Sequence, residues 1–271
     1  MRIFEAAFCA ALLAASAANA ADVTDPVPGH PGVTFETLLK QVMPDLAKDA
    51  NGNWTSKTLP HLRGTDDKEE PDAELSFNDV QVLQIKEAGH ARLLVLTGDS
   101  QTDSGFSAVL VAFDPSTPKP KLLDYMDVGG DRFVAMGSPP TLAIGPDTDA
   151  VIININHFNS NENYSQDTPI FLHGGRLNAA FTQFTLNEGF CGYEERQVPV
   201  YSVRDDKGAA FRAILVSVTQ TVRHTDETCD EGTKIPKASK HTYTDIYRWD
   251  ANKGAYVSHT NAMGHLIQPD Q

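Results

Sequence analysis

The chain has 271 residues, with 36 acidic against 22 basic side chains and a formal net charge of −14 at pH 7. This excess of negative charge argues against nucleic acids and anionic membrane surfaces as partners, because both would repel it. It favours a soluble protein, or one that attracts cations or basic partners.

The first twenty residues (1–20) have the features of a secretory signal peptide. An apolar run extends from Ala6 to Ala18, and Ala18-Asn19-Ala20 ends it with the small-x-small pattern of a cleavage site. The run is shorter than the roughly 20 residues that a membrane-spanning helix needs. We therefore expect cleavage between Ala20 and Ala21, giving a periplasmic or extracellular protein with no membrane anchor.

Cleavage at that bond removes Cys9 and leaves Cys191 and Cys229. An even number of cysteines in an oxidising compartment predicts a disulfide between them. The spacing of about 38 residues corresponds to a stabilisation of about 4 kcal/mol if chain entropy dominates.

Residues 21–75 are predicted to form an N-terminal leader, a helix and a charged linker. Residues 21–32 are rich in proline and glycine, which indicates an extended leader. Thr34 is predicted to cap a short helix, and Pro44 to end or kink it. The apolar positions that follow the helical repeat are Leu38, Leu39, Val42 and Met43. Residues 49–74 are polar and charged, which is typical of a solvated linker.

Residues 76–271 are predicted to form a β domain, because short β-branched and aromatic runs alternate with turn residues. The strands fall into three blocks of four. They lie near 80–86, 90–97, 106–113 and 120–127; near 140–145, 150–158, 168–173 and 177–187; and near 197–204, 210–224, 240–250 and 254–260. Each block has the pattern of a four-stranded antiparallel meander. The predicted fold class is therefore mainly β, either a partial propeller-like stack or a β-sandwich, preceded by a short N-terminal helix.

The period of two within the predicted strands supports this interpretation. In 151–158 one face carries Val151, Ile153 and Ile155, and the other carries Asn154, Asn156 and Phe158. The run 106–113 is apolar on both faces, which is typical of a central strand.

The three blocks share a long polar loop at equivalent places. If the blocks stack in the same orientation, these loops form one acidic, amide-rich rim that could bind a cation, a glycan or a basic protein. The candidate rim residues are Asp99, Asp103, Asn159, Asn161, Glu162, Asn163, Asp226, Glu227 and Asp230.

No sequence motif indicates a nucleotide cofactor, a zinc site or a serine-hydrolase elbow. The remaining cofactor to consider is calcium, which prefers several oxygen ligands at short spacing. Asp124, Asp127 and Asp131 surround the flexible Gly129-Gly130 turn and form a weak calcium candidate. No cofactor is otherwise expected.

The conspicuous pair Glu194-Glu195 is weak as a catalytic couple, because neighbours on a strand point to opposite faces. The sequence thus favours an exported, non-catalytic binding module whose partner is a protein or an envelope polymer. One alternative is a hydrolase of a cell-envelope polymer that uses loop carboxylates as acid and base. Another is a structural envelope protein.

Overall fold

A computed structural model of the protein describes residues 18–57, 75–98, 100–102, 105–130, 133–158, 163–230 and 233–266. The mainly-β class with a short helix near the N-terminus is confirmed. The elements in chain order are β1 (Asn19–Asp22), α1 (Phe35–Leu39), β2 (Ala47–Lys48), β3 (Trp54–Ser56), β4 (Leu75–Phe77), β5 (Asp79–Glu87), β6 (His90–Thr97), β7 (Ser100–Thr102), β8 (Gly105–Ser107), β9 (Val109–Asp114), β10 (Lys121–Asp127), β11 (Phe133–Gly145), β12 (Thr148–Phe158), β13 (Asn163–His173), β14 (Arg176–Ala179), β15 (Gln183–Phe190), β16 (Tyr193–Arg204), β17 (Ala213–His224), β18 (Ser239–Asp250), β19 (Ala255–Ser258) and a 3-10 turn (Ala262–His265). Within the described ranges, no helix is long and apolar enough to cross a membrane.

The strands form two large antiparallel sheets. The first sheet has the order β1-β5-β6-β9-β10, and the second has the order β11-β12-β13-β15-β16-β17-β18-β19, with β14 beside β13. The first predicted block thus has a sheet of its own. The second and third blocks are joined, because β15 pairs with β16 through Asn187↔Arg196 to Phe190↔Tyr193.

Burial follows the alternation that the sequence predicts. In β17 the side chains of Ile214, Val216 and Val218 are buried, whereas Leu215 and Ser217 between them are half-buried. In β9 the whole run Val109–Phe113 is buried, as expected for a central strand covered on both faces.

The N-terminal helix is shorter than its apolar pattern. The Thr34 hydroxyl accepts a hydrogen bond from the Thr37 amide and caps the helix as predicted. The helix ends at Leu39, and the chain continues in turns. Val42 and Met43 are buried even though they lie beyond the helix.

The helix and the small sheet β2-β3-β4 cover one face of the first sheet in a shared apolar core. Trp54 of β3 is 5% exposed in this core, although the sequence places it in the predicted linker. The rest of that linker, residues 58–74, lies outside the described residues. The domain boundary at residues 75–76 stays a prediction.

Two further apolar cores stack the sheets face to face. The other face of the first sheet packs on β11–β13 through residues such as Leu94, Leu110 and Ile153. The opposite face of β12 and β13 packs on β17 through Ile152, Phe171 and Val216. The second sheet therefore folds back on itself, with β15 at the fold, because β15 pairs with β13 at its start and with β16 at its end.

Strand β11 is one edge of the second sheet, and its pairing with β12 is interrupted. The register breaks between Met136 and Thr141, where Pro139 and Pro140 stand. At the opposite edge, β19 is a strand of 4 residues.

The predicted disulfide is confirmed. Cys191 and Cys229 are bonded, with their Cα atoms 5.6 Å apart. They flank the open end of the β16–β17 hairpin, next to the Tyr193↔His224 pair.

Candidate functional site

The predicted loop rim can be placed only in part. Asp99, Asp103, Asn159, Asn161 and Glu162 lie outside the described residues. Asn163 begins β13, opposite Phe158 of β12. The other described members are the exposed residues Asp226, Glu227 and Asp230, which follow β17. Both places are at the same end of the second sheet, and the rim stays a prediction.

The calcium candidate is likewise placed in part. An Asp124 oxygen accepts a hydrogen bond from the Leu177 amide at 2.8 Å, and an Asp127 oxygen accepts one from the Gly129 amide at 2.8 Å. Burial raises the pKa of the Asp127 carboxyl. Asp131 lies outside the described residues. In the part of the chain that is described, no three His, Cys, Asp or Glu side chains are grouped to hold a metal ion.

The Glu194-Glu195 pair is split between two faces, as the strand geometry predicts. Glu194 is exposed on β16, whereas Glu195 is 3% exposed on the inner face of the folded sheet. The two carboxylates therefore do not face each other.

A groove opens between the two halves of the folded second sheet, on the inner side of the β15 fold. One part has a volume of about 530 Å³, and an adjoining part of about 300 Å³ shares Asn154, Asp167 and Pro199 with it. We call it the polar groove, after the polar residues that line it: Asn154, Asn156, Ser165, Asp167, Thr185, Asn187, Arg196, Gln197 and Tyr201.

A chain of hydrogen bonds runs along one wall of the polar groove towards Asp167. The Ser165 hydroxyl donates to the side-chain oxygen of Asn156, and the side-chain amide of Asn156 donates to the side-chain oxygen of Asn154. The Asn154 amide donates to Asp167 Oδ1 at 2.6 Å. Because each donor in turn points towards the carboxylate, the bonds polarise one another and hold the amides in fixed orientations.

Tyr201 supplies the second donor to Asp167 from the opposite half of the sheet. Its hydroxyl lies 2.8 Å from Asp167 Oδ2. Burial, and secondly the nearby Asp167 charge, raise the pKa of Tyr201 well above its usual range. The phenol therefore stays protonated and keeps both sides of the groove tied to the same carboxylate.

A second polar cluster lies on the inner face of β16 and β17. The side-chain amides of Gln197 and Gln220 donate to one Glu195 oxygen at 3.0 and 2.9 Å. Gln220 is 8% exposed, and its carbonyl oxygen has no hydrogen-bond partner. Buried polar atoms are normally paired, and a buried water molecule can satisfy this acceptor. Gln220 is the cross-strand neighbour of Gln197, which lines the polar groove.

Two exposed phenylalanines stand beside the groove. Phe133 and Phe158 are 45% and 52% exposed, and their rings are stacked with centroids 5.2 Å apart and planes 1° from parallel. Phe133 is the register partner of Asn156, and Phe158 is two residues from Asn156 on the same strand. Because alternate residues and cross-strand partners share a face, the two rings lie on the face that carries the groove amides.

The sequence contains part of this site. The alternation in 151–158 places Asn154, Asn156 and Phe158 on one face. A strand packed in apolar cores on both sides would have an apolar face here, so the two asparagines indicate a polar environment. Asp167 and Tyr201 have no comparable local pattern. They reach the groove through the pairing of β13 with β12 and the fold of the sheet at β15.

No family model, curated protein sequence or solved structure matches this chain. The chemistry of the site therefore has to be deduced from its own geometry. It offers oriented amide and hydroxyl groups, one carboxylate held by two donors, and an exposed aromatic surface.

Proposed function

We propose that the protein is an exported, non-catalytic binding module and that its ligand occupies the polar groove. The observation that carries this proposal is the hydrogen-bond chain from Ser165 through Asn156 and Asn154 to Asp167. The inner faces of packed sheets normally interdigitate apolar side chains. A polar groove at that place contributes less to stability than an apolar core, so its presence favours a role in recognition.

The groove amides retain hydrogen-bonding capacity for a ligand. Each side-chain amide has two N–H donors, and the chain uses one of Asn154 and one of Asn156. A hydrogen bond to a charged group contributes about 1.5–3 kcal/mol, so the Asp167 carboxylate holds the Asn154 amide firmly before a ligand arrives, and Asn154 in turn orients Asn156. Such preorganisation lowers the entropy cost of binding.

Asp167 is better suited to orientation than to acid–base chemistry. Both of its oxygens already accept protein donors, from Asn154 and Tyr201. Among the described residues that line the groove it is the one carboxylate. The hydrolase alternative requires a second carboxylate across the groove.

The proposed export is supported by the signal-like N-terminus and by the disulfide, since disulfides form and persist in oxidising compartments. N-terminal sequencing of the protein purified from the periplasm of a bacterial host tests it. A mature chain that begins at Ala21, and so keeps Ala21 and Asp22 of β1 but loses Asn19 and Ala20, would support export. A chain that retains residues 1–20 would contradict it.

Thermal unfolding with a panel of ligand classes tests the binding function. The panel contains neutral oligosaccharides, peptides, basic proteins and calcium, each added to the wild-type protein, to Asn156→Leu and to Asn178→Leu. Asn178 is the matched control, because it is also a half-buried strand asparagine but lies outside the groove. A ligand at about 100 times its Kd adds about 2.7 kcal/mol, which raises the Tm by roughly 5–10 °C.

The proposed function requires a ligand that raises the Tm of the wild type and of Asn178→Leu, with a much smaller rise for Asn156→Leu. A rise that is equal in all three proteins would place the ligand elsewhere. Shortening of an oligosaccharide during the incubation would favour the hydrolase alternative.

A further inference from the structure

We infer that the ligand of the polar groove is a neutral saccharide chain, one sugar ring of which stacks on the Phe133–Phe158 pair. This inference rests on the proposed binding function and names the ligand class of the same site.

The Phe133–Phe158 pair provides exposed aromatic surface next to hydrogen-bonding groups. The rings are parallel to within 1°, and about half of each side chain is exposed. Along a strand, Phe158 and Asn156 are separated by about 7 Å. An aromatic face and an amide therefore lie within the span of one or two sugar rings.

A pyranose ring matches this combination of groups. One of its faces carries C–H bonds, which pack on the electron-rich face of an aromatic ring. Its hydroxyl groups both donate and accept hydrogen bonds around the edge. The groove presents amide donors on Asn154 and Asn156, and a further side-chain amide on Asn187.

The electrostatics favour a neutral chain over an anionic one. Among the described residues that line the groove there is one carboxylate, Asp167, and one guanidinium group, Arg196, within a protein whose net charge is −14. An anionic glycan or a phosphate-rich ligand would be repelled by the overall charge.

The edge of the sheet disfavours an extended peptide. Peptides that bind by strand addition need a continuous row of backbone donors and acceptors. Strand β11 lacks such a row, because Pro139 and Pro140 interrupt its ladder between Met136 and Thr141. The side chains of the groove are therefore the recognition surface, rather than the backbone of its edge.

Isothermal titration calorimetry with four tetrasaccharides tests the inference. Cellotetraose, chitotetraose and maltotetraose are the neutral probes, and tetragalacturonate is the anionic probe. The proteins are the wild type, Phe158→Ala, Phe158→Trp and Phe190→Ala. Phe190 is the matched control, because it also stacks on an aromatic partner, Tyr193, with ring centroids 4.7 Å apart, and neither of these rings belongs to the Phe133–Phe158 pair.

We expect at least one neutral tetrasaccharide to bind the wild type. Phe158→Ala should weaken it about tenfold, since an aromatic contact contributes up to about that factor. Phe158→Trp should restore binding, and Phe190→Ala should leave it unchanged. Equal Tm values for the Ala variants and the wild type would show that the loss is not one of folding.

Three results would overturn the inference. The first is a Kd above about 10 mM for every neutral tetrasaccharide, and the second is a lower Kd for tetragalacturonate than for the neutral tetrasaccharides. The third is an equal affinity of Phe158→Ala and Phe190→Ala for the same tetrasaccharide. If a peptide or calcium then gave an Asn156-dependent rise in Tm, the proposed function would survive without this ligand class. If no ligand class gave such a rise, both proposals would fail.

Discussion

Removal of the Cys191–Cys229 bond should lower the stability of the protein substantially. The bond joins residues 38 positions apart. On the chain-entropy relation, a loop of that length removes about 13 cal/mol/K from the unfolded state, or about 4 kcal/mol at 25 °C. Because each kcal/mol shifts the midpoint of a protein of this size by about 2–4 °C, the Tm should fall by about 8–16 °C.

The native state itself should change little when the bond is removed. The β16–β17 ladder is continuous from Tyr193↔His224 to Arg204↔Ala213, so hydrogen bonds hold the hairpin closed next to the bond. Differential scanning calorimetry compares the oxidised wild type with Cys191→Ala/Cys229→Ala, and the reduced wild type is the control. The reduced protein and the double variant should melt together. A fall of less than about 3 °C in either would refute the entropic argument.

Three further predictions concern single side chains. Gly208→Ala at φ +83° has no neighbour within 4 Å and should cost about 1 kcal/mol from backbone strain alone. Gly192→Ala at φ +81° should cost about 2 kcal/mol, because a Cβ there would also lie 3.0 Å from Cys229 Sγ and would displace Ile235, whose Cδ1 would be 2.5 Å away; urea unfolding measures both. Asp245→Asn should cost about 2 kcal/mol at neutral pH, since the buried carboxylate accepts bonds from Ser258, Thr260 and the Ile246 amide. Burial acts to raise the pKa of Asp245, but these bonds outweigh it and lower the pKa, so the stabilisation is present above about pH 4 and is lost as the pH falls through the folded pKa; urea unfolding across acidic pH measures this. Tyr201→Phe should remove one late-ionising phenol from the alkaline ultraviolet titration of the 7 tyrosines, because the pKa of Tyr201 is raised.

Each of these predictions has a result that would contradict it. Equal costs for the two glycine substitutions would mean that the contact with Ile235 does not matter. A wild-type advantage over Asp245→Asn that persists at low pH would show that its source is not the ionised carboxylate. Loss of a phenol that ionises near its usual pH of about 10, rather than later, in Tyr201→Phe would mean that Tyr201 ionises at an ordinary pH.

Individual strands could be predicted from the sequence, because their signal is local. The period of two in β12 is set by side chains two residues apart, and the structure buries the predicted apolar face. The disulfide could also be predicted, because Cys191 and Cys229 are the two cysteines that remain after cleavage at the predicted site.

The joining of the second and third blocks could not be predicted. The predicted strands stop at residue 187 and restart at residue 197, whereas the structure continues β15 to Phe190 and starts β16 at Tyr193. The missed stretch includes Glu195, a charged residue at a buried position. The prediction of strands depends on apolar residues at alternate positions, and Glu195 interrupts that pattern. The fold of the sheet and the groove inside it were missed for the same reason.

The candidate site needed contacts between distant residues. Asn154 and Asn156 share a face that the sequence identifies, but Tyr201 follows Asn154 only after three further strands. No local pattern indicates that its hydroxyl bonds to Asp167.

The two edges of the second sheet have a consequence for the protein at high concentration. A long strand with unpaired backbone groups at an edge is a template on which another copy can add, which leads to fibrils. The proline pair in β11 interrupts the row of amide donors along one edge strand, and the 4 residues of β19 leave little length at the other. Both features make the addition of another copy at these two edges less favourable.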